Sequence, residues 1–113
     1  AVLAMAPYSS PYSRTDGLRG LRIPVMYQAG ADDLVFTPPL TGSGGGYAQS
    51  PSPKFYVEIA GAGHFAWTDE RLAGRDAIVG YALAFLDRYV KGAPASALLR
   101  EKGGGVSAFL ADP

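Results

Sequence analysis

The sequence contains no cysteine and only one histidine, His64. The first absence rules out disulfides, thiolate metal sites and a cysteine nucleophile, and it leaves the compartment open. A single imidazole is too little for a zinc or iron centre, which needs several convergent ligands, so neither metal nor cofactor is expected. An excess of charge is also missing. The 10 Lys+Arg residues offset 10 Asp+Glu, both signs are interspersed, and no basic face is visible. Nucleic acid and anionic membrane surfaces are therefore poor partners. No apolar run approaches the roughly 20 residues that a bilayer crossing requires. The opening Ala1-Val2-Leu3-Ala4-Met5-Ala6 lacks the basic flank and the length of a signal segment. What is present forms a core: 48% of the 113 residues are hydrophobic, which suits one small domain and argues against disorder.

The apolar runs are short and separated by long connections. Ala1 to Ala6 reads as a short, fully buried strand closed by Pro7. Ser9 and Ser10 follow, bracketed by Pro7 and Pro11, and no helix is expected to start there. Gly17 to Arg22 is a connector in which Leu18 and Leu21 pack. Ile23 to Gln28 is a second strand, and its continuous apolar character suits a parallel sheet covered on both faces. Thr41 to Pro53 holds too many glycines and prolines for a long helix, but Tyr47-Ala48-Gln49 can supply one helical turn. Lys54 to Ile59 is a third strand.

From Arg75 the period becomes helical. Ile78, Val79, Ala82, Leu83, Leu86, Tyr89 and Val90 fall at spacings of three and four and predict one apolar stripe for the core. Asp69 and Glu70 favour a helix N-terminal turn nearby. Lys91-Gly92 with Pro94 beyond is a stop signal. Ala95 to Lys102 leaves room for a second helix, Gly103-Gly104-Gly105 breaks it, and Val106 to Pro113 is a tail, extended or loosely attached. Connections this long do not make hairpins, so the strands are expected to pair in parallel. The expected architecture is α/β, with about three parallel strands and a C-terminal amphipathic helix. That is too little to cover both sheet faces, and the chain begins inside an apolar run. The expectation is therefore the C-terminal piece of a longer polypeptide, incomplete as a domain on its own.

Two of the strands deliver an acid–base residue into a glycine-bearing loop. Ile23-Pro24-Val25-Met26-Tyr27 leads into Gly30-Ala31-Asp32-Asp33, and Phe55-Tyr56-Val57-Glu58-Ile59 leads into Gly61-Ala62-Gly63-His64-Phe65. Open α/β sheets place their chemistry at such strand ends. Taken singly, each residue has a bland reading: Asp33 as an ordinary turn-former, His64 as a packed or surface side chain. Gly42 to Gly46 lacks the Lys-Ser/Thr and the following helix of a phosphate loop. An acid and a histidine together, in this order and context, are two thirds of a Ser-His-Asp machine.

The order strand, G-A-D-D, long loop, strand, G-A-G-H-F, amphipathic helix resembles the C-terminal portion of the α/β-hydrolase fold. More narrowly, it is similar to the dienelactone hydrolase, cutinase-like polyesterase and platelet-activating-factor acetylhydrolase-like branch. P-V-M-Y-Q-A-G-A-D-D-L-V-F-T-P resembles the segment carrying the catalytic acid, F-Y-V-E-I-A-G-A-G-H-F the segment carrying the catalytic histidine, and A-V-L-A-M-A-P-Y the preceding strand. The likeness runs from residue 1 to about Gly92, and residues 93–113 form the tail. It implies one domain of which residues 1–113 are the C-terminal part, acting as a serine hydrolase on a small carboxylic ester, or on an amide or lactone of similar shape. Asp33 is the implied acid, with Asp32 as the alternate, and His64 is the implied general base. Phe65 and Trp67 either floor a substrate cleft or anchor the loop in the core.

The likeness stops at the nucleophile. No G-x-S-x-G elbow is present. Thr41-Gly42-Ser43-Gly44-Gly45 is the nearest match, but no strand precedes it and Ser43 reads as a linker residue. The serine and most of the oxyanion hole are expected from an upstream N-terminal half, and the isolated chain is expected to be inactive. A rival reading is a non-catalytic interaction module that keeps the acid and histidine as relics and pairs with partners through Ala1 to Ala6. A standalone small α/β domain without hydrolase ancestry is a third. Catalytic ancestry requires the Asp33 carboxylate within about 2.6–3.2 Å of His64 Nδ1, whereas a relic tolerates splayed side chains.

Overall fold

The computed structural model describes residues 1–13, 15–69 and 74–113. Among these, β1 (Val2–Met5), β2 (Val25–Gly30), β3 (Lys54–Ile59) and β4 (Val106–Asp112) form one sheet in that order. β1–β2 and β2–β3 are parallel and β3–β4 is antiparallel, so the chain is a mixed, mostly parallel α/β structure. Its helices are α1 (Ser10–Ser13), α2 (Pro38–Thr41), α3 (Gly46–Gln49) and α4 (Arg75–Tyr89). None is long and apolar enough to cross a membrane.

β2 is buried at all six positions, Gln28 included, as a strand covered on both faces requires. Alternation then sends side chains to two cores. Met26, Phe55, Val57 and Ile59 pack beneath α4 against Ile78, Tyr81 and Phe85. Val25, Tyr27, Ala29 and Tyr56 face the other way and are covered by Leu40 of α2, with Tyr47 of α3 packed alongside. The glycine-rich connection therefore covers the second face, which three strands and one helix alone were not expected to do. Tyr27 Oη and Ser50 Oγ, 2.8 Å apart, tie that cover to the sheet.

Several expectations need correcting. β1 is not fully buried: Val2 is 36% and Met5 43% exposed, because β1 has β2 on one side and no described strand on the other. A single helical turn, α1, does start at Ser10, because Pro11 is tolerated in a first turn, where its missing N–H costs nothing. The α4 stripe merged two faces. Ile78 and Ala82 are buried together with Tyr81, Ala84 and Phe85, while Val79, Leu83 and Val90 remain exposed. The sheet covers only one arc of the helix, and the two aromatic residues claim it. Helix α4 starts at Arg75 after Gly74 (φ 75°), with Asp76 in its first turn, so Asp69 is too far upstream to act on its dipole. Glu70 lies outside the described residues. The stop is where expected, with Gly92 at φ 74°.

Of the two expectations for the tail, extended holds and loose does not, and no full helix precedes it. Between Pro94 and the glycines the chain makes only a 3-10 turn, Ala97–Leu99, with Ser96 Oγ accepting from Leu98 N–H. Tyr81 then fixes the reversal, its hydroxyl accepting from Gly103 N–H at 2.7 Å and donating to Glu101 O at 3.2 Å. β4 runs back along β3 as a fourth strand, with Phe109 against Tyr81.

Gly30 ends β2 where the chain passes closest to the loop after β3. A Cβ there would overlap the Ala62 carbonyl, with its carbon 2.8 Å away. Gly30→Ala should therefore cost about 1–3 kcal/mol of unfolding free energy in urea titrations. Gly104→Ala, which meets nothing within 4 Å, should stay within about 0.5 kcal/mol of the unsubstituted chain.

Candidate active site

The parallel register of β2 and β3 ends on the pair Gly30 and Ile59, so both strands release their loops at the same edge of the sheet. The loops are knitted at once: Ala31 N–H donates to Ile59 O at 3.0 Å and Asp32 N–H to Ala62 O at 2.9 Å. After β2 the chain turns tightly. Asp33 N–H donates to Gly30 O (3.1 Å), and Thr37 caps the same carbonyl through Oγ1 (2.8 Å). After β3, Gly63 leads into a 3-10 turn, His64–Trp67.

These turns bring Asp33 and His64 together. His64 Nδ1 and Asp33 Oδ2 are 2.7 Å apart. Asp33 Oδ1 accepts from Phe36 N–H at 3.1 Å and Val35 N–H at 3.4 Å. The turn-former reading of Asp33 and its pairing with His64 are thus both realised, one by each carboxylate oxygen. Burial pushes the carboxyl up, but the Phe36 amide, the His64 imidazole and the Val35 amide outweigh it, and Asp33 titrates below an ordinary aspartate. An ionised carboxylate only accepts hydrogen bonds, so the imidazole donates through Nδ1–H and keeps Nε2 as its basic nitrogen. Asp33 is buried while the His64 side chain is 36% exposed. Asp32, the alternate acid, is exposed and contributes its backbone to the loop tie.

Aromatic rings surround the imidazole. Phe36 lies against it with centroids 4.4 Å apart and planes tilted by 36°, Phe65 meets it edge-on at 5.4 Å, and Tyr8 meets Phe36 edge-on at 5.6 Å. Phe65 is 64% exposed beside His64, a position open to a substrate. Trp67 is an anchor: its indole N–H donates to Gln28 Oε1 at 3.0 Å, and Gln28 Nε2 donates to Ile78 O at 2.9 Å. Sequence reading missed Gln28, Phe36 and Tyr8. Gln28 carried a signal, as the one amide side chain inside the buried run of β2, where an unpaired amide would be costly.

Ser43 is exposed in the turn between α2 and α3, which follows no strand directly, and Ser9 is buried with no hydrogen-bond partner for its hydroxyl among the described residues. Among the described residues no group of three or more His, Asp or Glu side chains is placed to hold a metal ion. No family model matches the chain, and no curated protein matches it. The geometry is that of a carboxylate bonded to one nitrogen of an imidazole, which fixes the tautomer and leaves Nε2 as the nitrogen able to accept a proton.

A depressed carboxyl contributes stability that is fully present above its unfolded pKa and is lost as pH falls through its lower folded value. Asp33→Asn should cost about 1–3 kcal/mol at neutral pH. That deficit should shrink steadily below about pH 4, as measured by chemical denaturation across a pH series. A deficit independent of pH would contradict the ionised pairing.

Proposed function

We propose that this chain is the C-terminal part of an α/β-hydrolase-fold serine esterase, supplying its acid, Asp33, and its general base, His64. The observation that carries this reading is the 2.7 Å contact between Asp33 and His64 at the adjoining C-terminal ends of two neighbouring parallel strands. A non-catalytic relic has no need of a carboxylate held at that distance and direction. The substrate is a small carboxylic ester, and the serine nucleophile and oxyanion donors come from an upstream half outside this chain. His64 Nε2 takes the serine proton as the hydroxyl attacks the ester carbonyl, and the tetrahedral intermediate collapses to acyl-enzyme as the imidazolium returns that proton to the leaving alcohol. Water, deprotonated by the same imidazole, then releases the acid. Asp33 stabilises the imidazolium in each half-reaction.

The exposed side of β1 supports an upstream partner. Val2 and Met5 are open, Val79 and Leu83 of α4 are exposed, and a cavity of about 300 Å³ on the other sheet face is lined by Val2, Ala4, Tyr8, Leu18, Leu21 and Tyr27. Further strands added along β1 would bury this apolar surface.

The test is hydrolysis of a chromogenic short-chain ester by the polypeptide that joins this chain to its upstream half. His64→Ala and Asp33→Asn should each lower kcat by about 10⁴-fold, Ser43→Ala should leave it unchanged, and the 113-residue chain alone should be inactive. His64-dependent turnover by the isolated chain, or full activity in His64→Ala, would contradict the proposal.

A further inference from the structure

We propose that Phe36 is a positioning residue that holds both members of the Asp33–His64 pair, an inference that rests on reading His64 as the general base. A hydrogen bond through Nδ1 fixes one atom of the imidazole but leaves the ring free to rock about the N–H···O direction. Nε2, two bonds from the held atom, is carried out of line by that motion. A surface against the ring face removes this freedom, and Phe36 supplies it. The 4.4 Å centroid separation is the shortest ring-to-ring distance among the described residues.

The same residue fixes the carboxylate. Phe36 N–H donates to Asp33 Oδ1 at 3.1 Å, leaving Oδ2 for His64. The Phe36 ring is itself held edge-on by Tyr8, at 5.6 Å and 90°. Within Leu34-Val35-Phe36, Leu34 is 80% and Val35 69% exposed, while Phe36 is half-buried against His64. Three apolar residues in one loop are thus treated differently, and only the third is turned inward. Phe65 approaches the imidazole edge-on and is mostly exposed, so it restrains the ring far less.

A general base must aim Nε2 at the nucleophile and then at the leaving group, and a displacement of about 1 Å can cost about 10²-fold in rate. Replacing the ring leaves the backbone amide in place, so side-chain substitution separates the two roles. Phe36→Leu fills much of the volume without a flat face, and Phe36→Tyr restores the face.

In the polypeptide joined to its upstream half, Phe36→Leu should lower kcat for the chromogenic ester by about 10–100-fold with KM changed less than about twofold, and Phe36→Tyr should recover most of the loss. His64 is the sole histidine, so its ring protons give one isolated pair of resonances in the 113-residue chain. Phe36→Leu should move them downfield as the ring current is lost, whereas Phe65→Leu should move them much less. Raised KM with unchanged kcat would make Phe36 a substrate contact and overturn the proposal, as would unmoved His64 resonances. If the joined, unsubstituted polypeptide hydrolyses no ester, the esterase reading falls. The His64 resonances still decide whether Phe36 holds the imidazole.

Discussion

The parallel ladder between β2 and β3 is the constraint on which the rest depends. Six residues of register, from Val25 opposite Lys54 to Gly30 opposite Ile59, bring both strands to an end at one edge of the sheet. Antiparallel pairing would have sent the two loops to opposite edges. Burial specifies this register: a slip of one residue would turn Tyr56 toward the α4 core and Phe55 and Val57 away from it. Hydrophobic patterning and the placement of an acid beside a base are therefore one requirement seen at two scales.

Short-range geometry completes what the ladder begins. Gly30 lets the two loops touch backbone to backbone, and the Asp32 to Ala62 hydrogen bond ties them. Asp33 then divides its two oxygens between the amides of its own turn and His64. A second strut, Gln28, runs from inside β2 to Trp67 and to the first turn of α4, fixing the far end of the histidine's 3-10 turn. A buried amide with both ends satisfied adds directional order that apolar packing alone lacks.

The central strands and both loops were legible in the sequence because their signals are local: largely apolar runs, each closed by a glycine-bearing turn with a titratable side chain. The α4 boundaries and the Gly92 stop were readable for the same reason. The face of α4 was not, because Val79 and Leu83 are as apolar as Ile78, and only the position of the sheet decides which are covered. β1 reads as a core strand by composition, yet its burial depends on neighbours along its outer edge. The tail could be read as extended, but its pairing as a fourth strand could not, because Val106–Asp112 is held by partners distant in sequence, above all β3 and the Tyr81 hydroxyl. Within the site, Asp33 and His64 were visible as residue types in context. The Phe36 ring was not, because nothing in Leu34-Val35-Phe36 marks which of three apolar side chains turns inward.

The pair consists of a buried carboxylate and a half-exposed imidazole. Its competence rests on which imidazole nitrogen carries the proton, and that is directly observable. A long-range ¹H–¹⁵N correlation spectrum of the chain, with the ring in its neutral form, assigns the tautomer of the single histidine. The account predicts a protonated Nδ1 facing Asp33 and an unprotonated Nε2. A proton on Nε2 with Nδ1 bare would leave the base pointing into the protein and contradict the account.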